Sequence, residues 1–449
     1  MNTTKPYKIH QTSIIAGVLS SLSYLYLAIN SQEYGQATLS QMLSVCFFCS
    51  ALCGAVWWHH YHAKQDISIR TMLSFAIIFR AIGFFAFPVL EDDIYRYLWD
   101  GRQTIVNGNP YIQAPADFFD ADNLTDRFEN ILDGINYPYV ATVYGPSSQW
   151  IFATAYLISP GEVWPLQLIL IIADLALIGL LMKVAKPNAV LLYAWCPLVI
   201  KEFAFTAHPD LFGAFLMVCA LRAYLNNRPI LVGALMAMAC GIKIFPLIIL
   251  PFLLKFSWRG WSAFIITAIL IALPFGIQQA WLPDGLKVMS GDWFFNAPLY
   301  RAYAELIPRE YSINILKVIV LLSFAVLCAI SLLKDVYNHY LKAYSLTLPR
   351  GDILFGAMLI CLPALNPWYA IWLLPFCAIR PSIWGWVSAT MLLLSYICGI
   401  NLNDSSIGPY EVPNWVLMIE FGVIALALIT EILMKRRHLN LIRVNSLSS

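Results

Sequence analysis

The sequence predicts an all-α fold, a polytopic bundle of about 11–14 transmembrane helices with one large inserted loop. Three observations predict it. Of 449 residues, 60% are hydrophobic and only 12% charged, against about 25% charged in soluble domains. Apolar runs near the ~20-residue spanning length recur along the whole chain. A single acidic, aromatic-rich connection at 91–146 interrupts them.

The apolar runs cover about 12–29, 38–58, 70–90, 163–183, 188–206, 209–225, 229–255, 261–279, 312–333, 351–378, 381–400 and 414–434. Pro246 and Pro251 interrupt one, and Pro363 and Pro367 another, so each reads as two shorter helices. Segment 148–159 is apolar but too short to span comfortably. The first run ends at Asn30, Ser31 and Gln32 without a small-residue cleavage site, and reads as a retained span.

Net charge is only +2, so no basic surface points to nucleic acid. All ten cysteines fall in apolar stretches, where small-residue packing explains them better than disulfides do. Cys46, Cys49 and Cys53 share one helix face and read as packing. His59, His60 and His62, beside Tyr61 and Lys64, fit a plain interfacial loop.

Lysines and arginines in short connections set an expected orientation. Lys5, Lys8, Lys64, Arg70, Lys183, Lys186, Arg222, Arg228, Lys255, Arg259, Lys334, Lys342, Arg350 and Lys435–Arg437 are placed in the cytoplasm. Residues 91–146, 281–311 and 401–413, and the turn around His208, then face outward. The chain reads as one transmembrane domain, 1–449, with 91–146 as an inserted outer loop and 435–449 as a cytoplasmic tail. Gly101, Gly108-Asn109-Pro110 and Gly134 are expected to punctuate the loop into short helices.

The loop opens with Glu91-Asp92-Asp93-Ile94-Tyr95-Arg96-Tyr97-Leu98-Trp99-Asp100-Gly101-Arg102. On a helix, Asp93, Arg96, Tyr97 and Asp100 share one face, and Asp92 can pair with Arg96. Ile94 and Leu98 would rest on the membrane. An interfacial anchor explains the aromatic residues but not the acidic run, since anchors favour Lys and Arg. Within the spans, Arg80, Lys201-Glu202 and Lys243 stand out, because each buried cation costs roughly 2.5–3.5 kcal/mol. Internal pairing explains Arg80 as well as function does; for Lys243 no partner carboxylate is evident nearby. Cations at headgroup depth suit a phosphate, and a carboxylate suits removal of a hydroxyl proton. No P-loop, Rossmann fingerprint or HExxH motif is present.

Asp92 to Arg102, followed by Asn107-Gly108-Asn109-Pro110-Tyr111, resembles the first-loop signature of GT-C superfamily membrane glycosyltransferases. The likeness is to glycosyltransferase 87-like and polyprenol-phosphate-mannose-dependent mannosyltransferases. Asn136-Tyr137-Pro138 and Thr142-Val143-Tyr144-Gly145-Pro146 resemble the end of that loop. Pro197-Leu198-Val199 with Glu202, His208 and Asp210 resembles a second block, Lys243 with Pro246-Leu247 a third, and Asn366-Pro367-Trp368-Tyr369 a fourth.

The resemblance implies inverting transfer of a sugar, mannose or another hexose, from a polyprenyl-phosphate donor to a glycan or lipid acceptor. It implies a bacterial inner membrane and an active site on the periplasmic or exterior face. Asp93 or Asp92 would be the general base. Arg96, Arg102 and Lys243 would meet the donor phosphate, with Tyr144, His208 and Asp210 lining the pocket. Tyr95, Tyr97, Asp100 and Glu202 complete the expected binding set. No cofactor is firmly implied; some relatives use a divalent metal, but no ligand set is legible here. Two spans precede the signature in this chain, where many superfamily members have one.

Two rival readings remain at this level. A secondary transporter would line a midplane path with Arg80, Lys243 and Glu202 and leave the acidic loop idle. A lipid-linked glycan polymerase or ligase would use similar donors, with its large outer loop more often late in the chain.

Overall fold

A computed structural model describes residues 5–31, 38–285, 294–306, 313–341 and 348–447. Parts of the expected 281–311 loop, and Lys342, therefore lie outside the described residues. The described chain is all-helical, and the only extended pairing among these residues is an isolated bridge between Phe295 and Ala364.

Helices α1 (Lys5–Asn30), α2 (Leu39–Ala63) and α3 (Ile69–Phe84) precede the loop. A capping box starts α2. The Thr38 side chain accepts from the Gln41 amide at 3.3 Å while Gln41 Oε1 accepts from the Thr38 N–H at 2.8 Å. The loop contains α4 (Asp93–Arg102) and α5 (Asp126–Asp133), and α6 (Pro146–Ile158) follows it. Next come α7 (Trp164–Leu181) and α8 (Pro187–Ala194). A further short turn, α9 (Pro197–Val199), runs into a π-helical turn at Ile200–Phe205. Then come α10 (Asp210–Leu225) and α11 (Pro229–Ile242), with further helices to Leu447.

Six described helices are long and apolar enough to cross a membrane, and a bent pair spanning 187–205 makes a seventh. The other expected runs form shorter apolar helices, among them Pro229–Ile242, Gly351–Cys361 and Ile383–Tyr396. The proline breaks appear as expected, but earlier in the chain than the prolines themselves. Helix α11 stops at Ile242, four residues before Pro246, whose ring would clash with the Ile242 carbonyl. The helix Gly351–Cys361 stops before Pro363, and Leu362 is extended with ψ 137°. Residues 148–158 lie within α6, a helix of 13 residues capped at Ser159, with Pro146 to Gln149 buried at its start. The last helix, Asn414–Leu447, continues through the expected 435–449 tail as far as Leu447.

Two glycines seat the loop. A Cβ at Gly101 would lie 2.5 Å from the Phe152 carbonyl oxygen, so α4 packs directly against α6. Gly101 therefore sits inside α4 and serves close approach, not the helix end expected of it. A Cβ at Gly145 would lie 2.3 Å from the Gly241 carbonyl oxygen, which sets the end of the loop against the end of α11. Gly108, with φ +78°, and Gly134, which caps α5, do punctuate the loop as expected.

The membrane-resting face expected for α4 is instead a protein interface. Ile94 is fully buried in the main core, and Trp99 packs with Phe128, Ile131 and Leu132 of α5. The main core and helix α5 together cover the apolar side of α4, so its amphipathic pattern records tertiary packing.

The candidate active site

Helix α4 begins beside a cavity of about 660 Å³. Glu91, Asp92, Asp93, Tyr95 and Arg96 line it from the start of the loop. Asn136, Tyr137 and Tyr144 line it from the loop's end, and Lys243 from the break after α11. Tyr396, Asn401 and Tyr410 line it from the C-terminal third of the chain. Much of the remaining wall is apolar, including Ile244, Phe245, Trp281, Leu282 and Trp368.

Asp93 Oδ2 accepts from the Tyr144 hydroxyl at 3.0 Å and from the Tyr97 hydroxyl at 3.5 Å. Both donors fall on one carboxylate oxygen. Burial, and then the charge of Glu91, raise the Asp93 pKa from its ordinary value; His208, Tyr144 and Lys243 act the other way. Asp92 Oδ2 accepts from the Asn136 amide. Burial and the charges of Glu91 and Asp93 push its pKa up to about 7, partly offset by the Asn136 bond. Two adjacent carboxyls thus titrate above the ordinary carboxylate range, which suits a proton acceptor working near neutral pH.

Arg96 does not pair with Asp92 as expected. Its guanidinium donates to the carbonyls of Val140 at 2.9 Å, Asn136 at 3.1 Å and Tyr137 at 3.0 Å. The reason is geometric, since one planar fork can hold several carbonyls of a turning backbone. Arg96 therefore ties the loop's end to its start. Asp100 does the same one turn further on: buried, it accepts from Thr142 and, at 3.1 Å, from Gln149. Burial raises its pKa to about 6.

Beneath Asp93 lies a buried polar network. The Tyr97 hydroxyl is 2.8 Å from His208 Nδ1. His208 Nε2 stands 3.4 Å from Glu202 and 3.6 Å from Glu91, and its ring stacks on Trp368 at 3.9 Å. Lys201 Nζ is 3.2 Å from Glu202, and the Tyr396 hydroxyl joins Lys201, Glu202 and Glu91. Local backbone makes this network possible. The π-helical turn at Ile200–Phe205 carries Lys201 and Glu202, and Ala207, at φ +61°, turns the chain into His208.

Lys243 has a partner that the sequence concealed. Its Nζ lies 3.2 Å from Asp210 Oδ1 and 3.8 Å from the centroid of the Tyr369 ring. The Trp372 indole also donates to Asp210 Oδ1, at 2.9 Å. Asp210 is thus a support that aims Lys243, and it does not line the cavity.

Of the expected site residues, Asp92, Asp93, Tyr95, Arg96, Tyr144 and Lys243 reach the cavity wall. Tyr97, Glu202, His208 and Asp210 form the layer behind it. Asp100 and Arg102 lie elsewhere. Arg102 is buried with its guanidinium carbon 5.5 Å above both the Trp99 and Phe128 rings, so it packs α4 on α5. Sequence reasoning missed Asn136 as a partner of Asp92, and it missed Tyr396, Asn401 and Tyr410 entirely. No local motif marks those three residues; they come from distant segments.

Arg80 is buried and bonded to Asp174 at 2.7 Å and to the carbonyls of Ala76 and Ala194. It plays a structural part and does not line the cavity, which removes one of the three residues a transport path would need. His60 is buried on Ser13 at 2.8 Å, and all ten cysteines are free.

Two sets of groups could hold a cation. Glu91, Glu202 and His208 bring one ligand atom each within 4.8 Å of one another, and so do Glu91, Asp92 and Asp93. In the first set, Lys201 and Tyr396 already bond the carboxylates. In the second set, the raised Asp92 pKa lets a proton relieve the crowding.

Acid at one wall, an ammonium near it and apolar surface around them suit group transfer at a sugar. Residues 7–259 match the family model described as "Alpha-(1->6)-mannopyranosyltransferase, N-terminal domain". The chain belongs to this mannosyltransferase family. No curated protein and no solved structure matches the chain. The match contains both aspartates, Tyr144, the buried network from Lys201 to His208, and Lys243. A mannosyltransferase acts on a sugar donor and a glycan acceptor. Here the matched region supplies the acidic and cationic groups of the cavity, and residues beyond 259 complete its lining.

Proposed function

We propose that this membrane protein transfers mannose, or a closely related hexose, from a polyprenyl-phosphate donor to an acceptor glycan. The reading places the cavity at the periplasmic or exterior face of a bacterial inner membrane, within a single domain. One observation carries it. Asp93, oriented by Tyr144, shares a largely apolar cavity with Lys243, and the Lys243 charge acts on Asp93.

In the proposed step, Asp93 accepts the proton of an acceptor hydroxyl. The hydroxyl oxygen attacks the anomeric carbon as the bond to the phosphate oxygen breaks. The bonding pair leaves with the polyprenyl phosphate, whose growing charge Lys243 meets. Attack opposite the leaving group inverts the anomeric centre. Tyr144 and Tyr97 hold the carboxylate, and His208 holds Tyr97 in turn.

The test is transfer of radiolabelled mannose from polyprenyl-phosphate mannose by the purified protein. Asp93→Asn and Asp92→Asn are assayed separately against the parent. Loss of at least about 10²-fold at one site supports general-base chemistry. Equal, undiminished activity in both variants would remove it.

A further inference from the structure

Beside Asp92 the cavity wall holds an aromatic pair that the proposed chemistry leaves unused. Tyr137 and Tyr410 are 6.0 Å apart between ring centroids, with planes tilted by 31°. Both line the cavity, and Tyr137 is 42% exposed. The pair is built. Tyr137 sits at φ +51°, a conformation costly for a bulky side chain, and the Arg96 guanidinium holds its carbonyl and that of Asn136. The Asn136 amide donates both to the Tyr410 hydroxyl, at 2.7 Å, and to Asp92. One side chain therefore couples the aromatic pair to a catalytic-loop carboxylate.

We infer that Tyr137 and Tyr410 form the acceptor subsite, over which a pyranose of the acceptor glycan stacks with its hydroxyls toward Asp92 and Asn136. This deepens the proposed function and rests on it. Three observations favour a glycan over a lipid chain. Tyrosine rings present flat apolar faces with polar tips, which match the C–H faces and hydroxyl edges of a sugar. A carboxylate and an amide converge beside the rings, as recognition of a polyhydroxylated ligand needs. The apolar residues Ile244, Phe245, Trp281 and Leu282 line other parts of the wall and leave surface for a greasy carrier. Tyr137 lies inside the matched 7–259 region and Tyr410 outside it, so the subsite joins the matched region to the C-terminal part of the chain.

The experiment measures binding and turnover on the full-length protein in detergent. The binding probe is α-(1→6)-linked mannotetraose, followed by calorimetry for the parent, Tyr137→Ala, Tyr410→Ala, Tyr137→Phe and Tyr410→Phe. The alanine variants are expected to weaken binding and raise the acceptor KM by about tenfold, the worth of one aromatic contact. Their donor KM is expected to stay within about twofold, and the phenylalanine variants to bind within about threefold of the parent. Circular dichroism checks that each variant is folded. Parent-like acceptor KM and binding in both folded alanine variants would overturn the subsite, as would absence of tetraose binding by the parent. A parent that binds the tetraose but transfers nothing from polyprenyl-phosphate mannose would sink the donor reading while the subsite stands.

Discussion

Tyr144 donates its hydroxyl to Asp93 Oδ2 at 3.0 Å, so the last turn of a long loop holds the carboxylate with which its first helix begins. The bond spans 51 residues of chain. Together with Arg96 on the 136–140 carbonyls and Asp100 on Thr142, it makes the loop a closed frame around one acid. Tyr144→Phe removes a single donor from the half-buried Asp93 carboxylate and leaves the ring in place. Its kcat should fall by about tenfold, in keeping with a hydrogen bond to a charged group worth ~1.5–3 kcal/mol. The check is kcat at saturating donor, with an unchanged melting temperature.

Asp210→Asn tests how Lys243 is aimed. The ammonium would keep Tyr369 but lose its ionic partner, so donor KM should rise more than kcat falls. Lys243→Met removes the charge itself and should lower kcat/KM for the donor by at least about 10²-fold. A parent-like kcat/KM for the donor in the Lys243→Met variant would exclude Lys243 from the donor site.

One pH dependence follows from Asp92, toward which the acceptor hydroxyls point in the inferred subsite. Its carboxyl titrates at about 7, raised by burial and by Glu91 and Asp93. A step needing the ionised form therefore gains activity as pH rises through that value and loses it below. Asn136 donates to the ionised form and so lowers the pKa. Asn136→Ala should move the acid limb of kcat/KM to higher pH. An unmoved limb would assign it to another group.

Chelation tests the cation sets. Because Lys201 already bonds Glu202 inside the first set, stripping divalent ions with EDTA should leave transfer within about twofold. Loss of transfer with recovery on added magnesium would instead put a cation on Glu91, Asp92 and Asp93.

Arg80 and Asp174 should behave as a structural pair. Breaking a buried pair from one side typically costs about 3–5 kcal/mol, whereas replacing both partners with apolar groups can be nearly neutral. Arg80→Met should therefore lower the melting temperature markedly, and Arg80→Met with Asp174→Leu should recover much of it. Recovery of transfer alongside would confirm that neither charge belongs to the reaction.

Residue types and their order were enough to reveal the helical membrane class, the proline breaks, the acidic loop and Lys243. These signals are local. Apolar run length fixes which segments suit a membrane, and proline breaks a helix whatever surrounds it. The expected Asp92–Arg96 pair was also a local inference, and it failed because backbone carbonyls 40 to 44 residues away compete for the same guanidinium.

Tertiary structure alone decided the rest. It turned the apparent lipid face of α4 into contacts with the main core and α5, took Arg102 away from the cavity, and gave Lys243 its partner in Asp210. It also brought Tyr396, Asn401 and Tyr410 to the cavity wall, with Tyr396 on Glu91 and Tyr410 joined to Asp92 through Asn136. Helical periodicity says which side of a helix is apolar, but not whether lipid or protein will cover it. Only packing settles that, because contacts between segments hundreds of residues apart leave no spacing in the sequence to read.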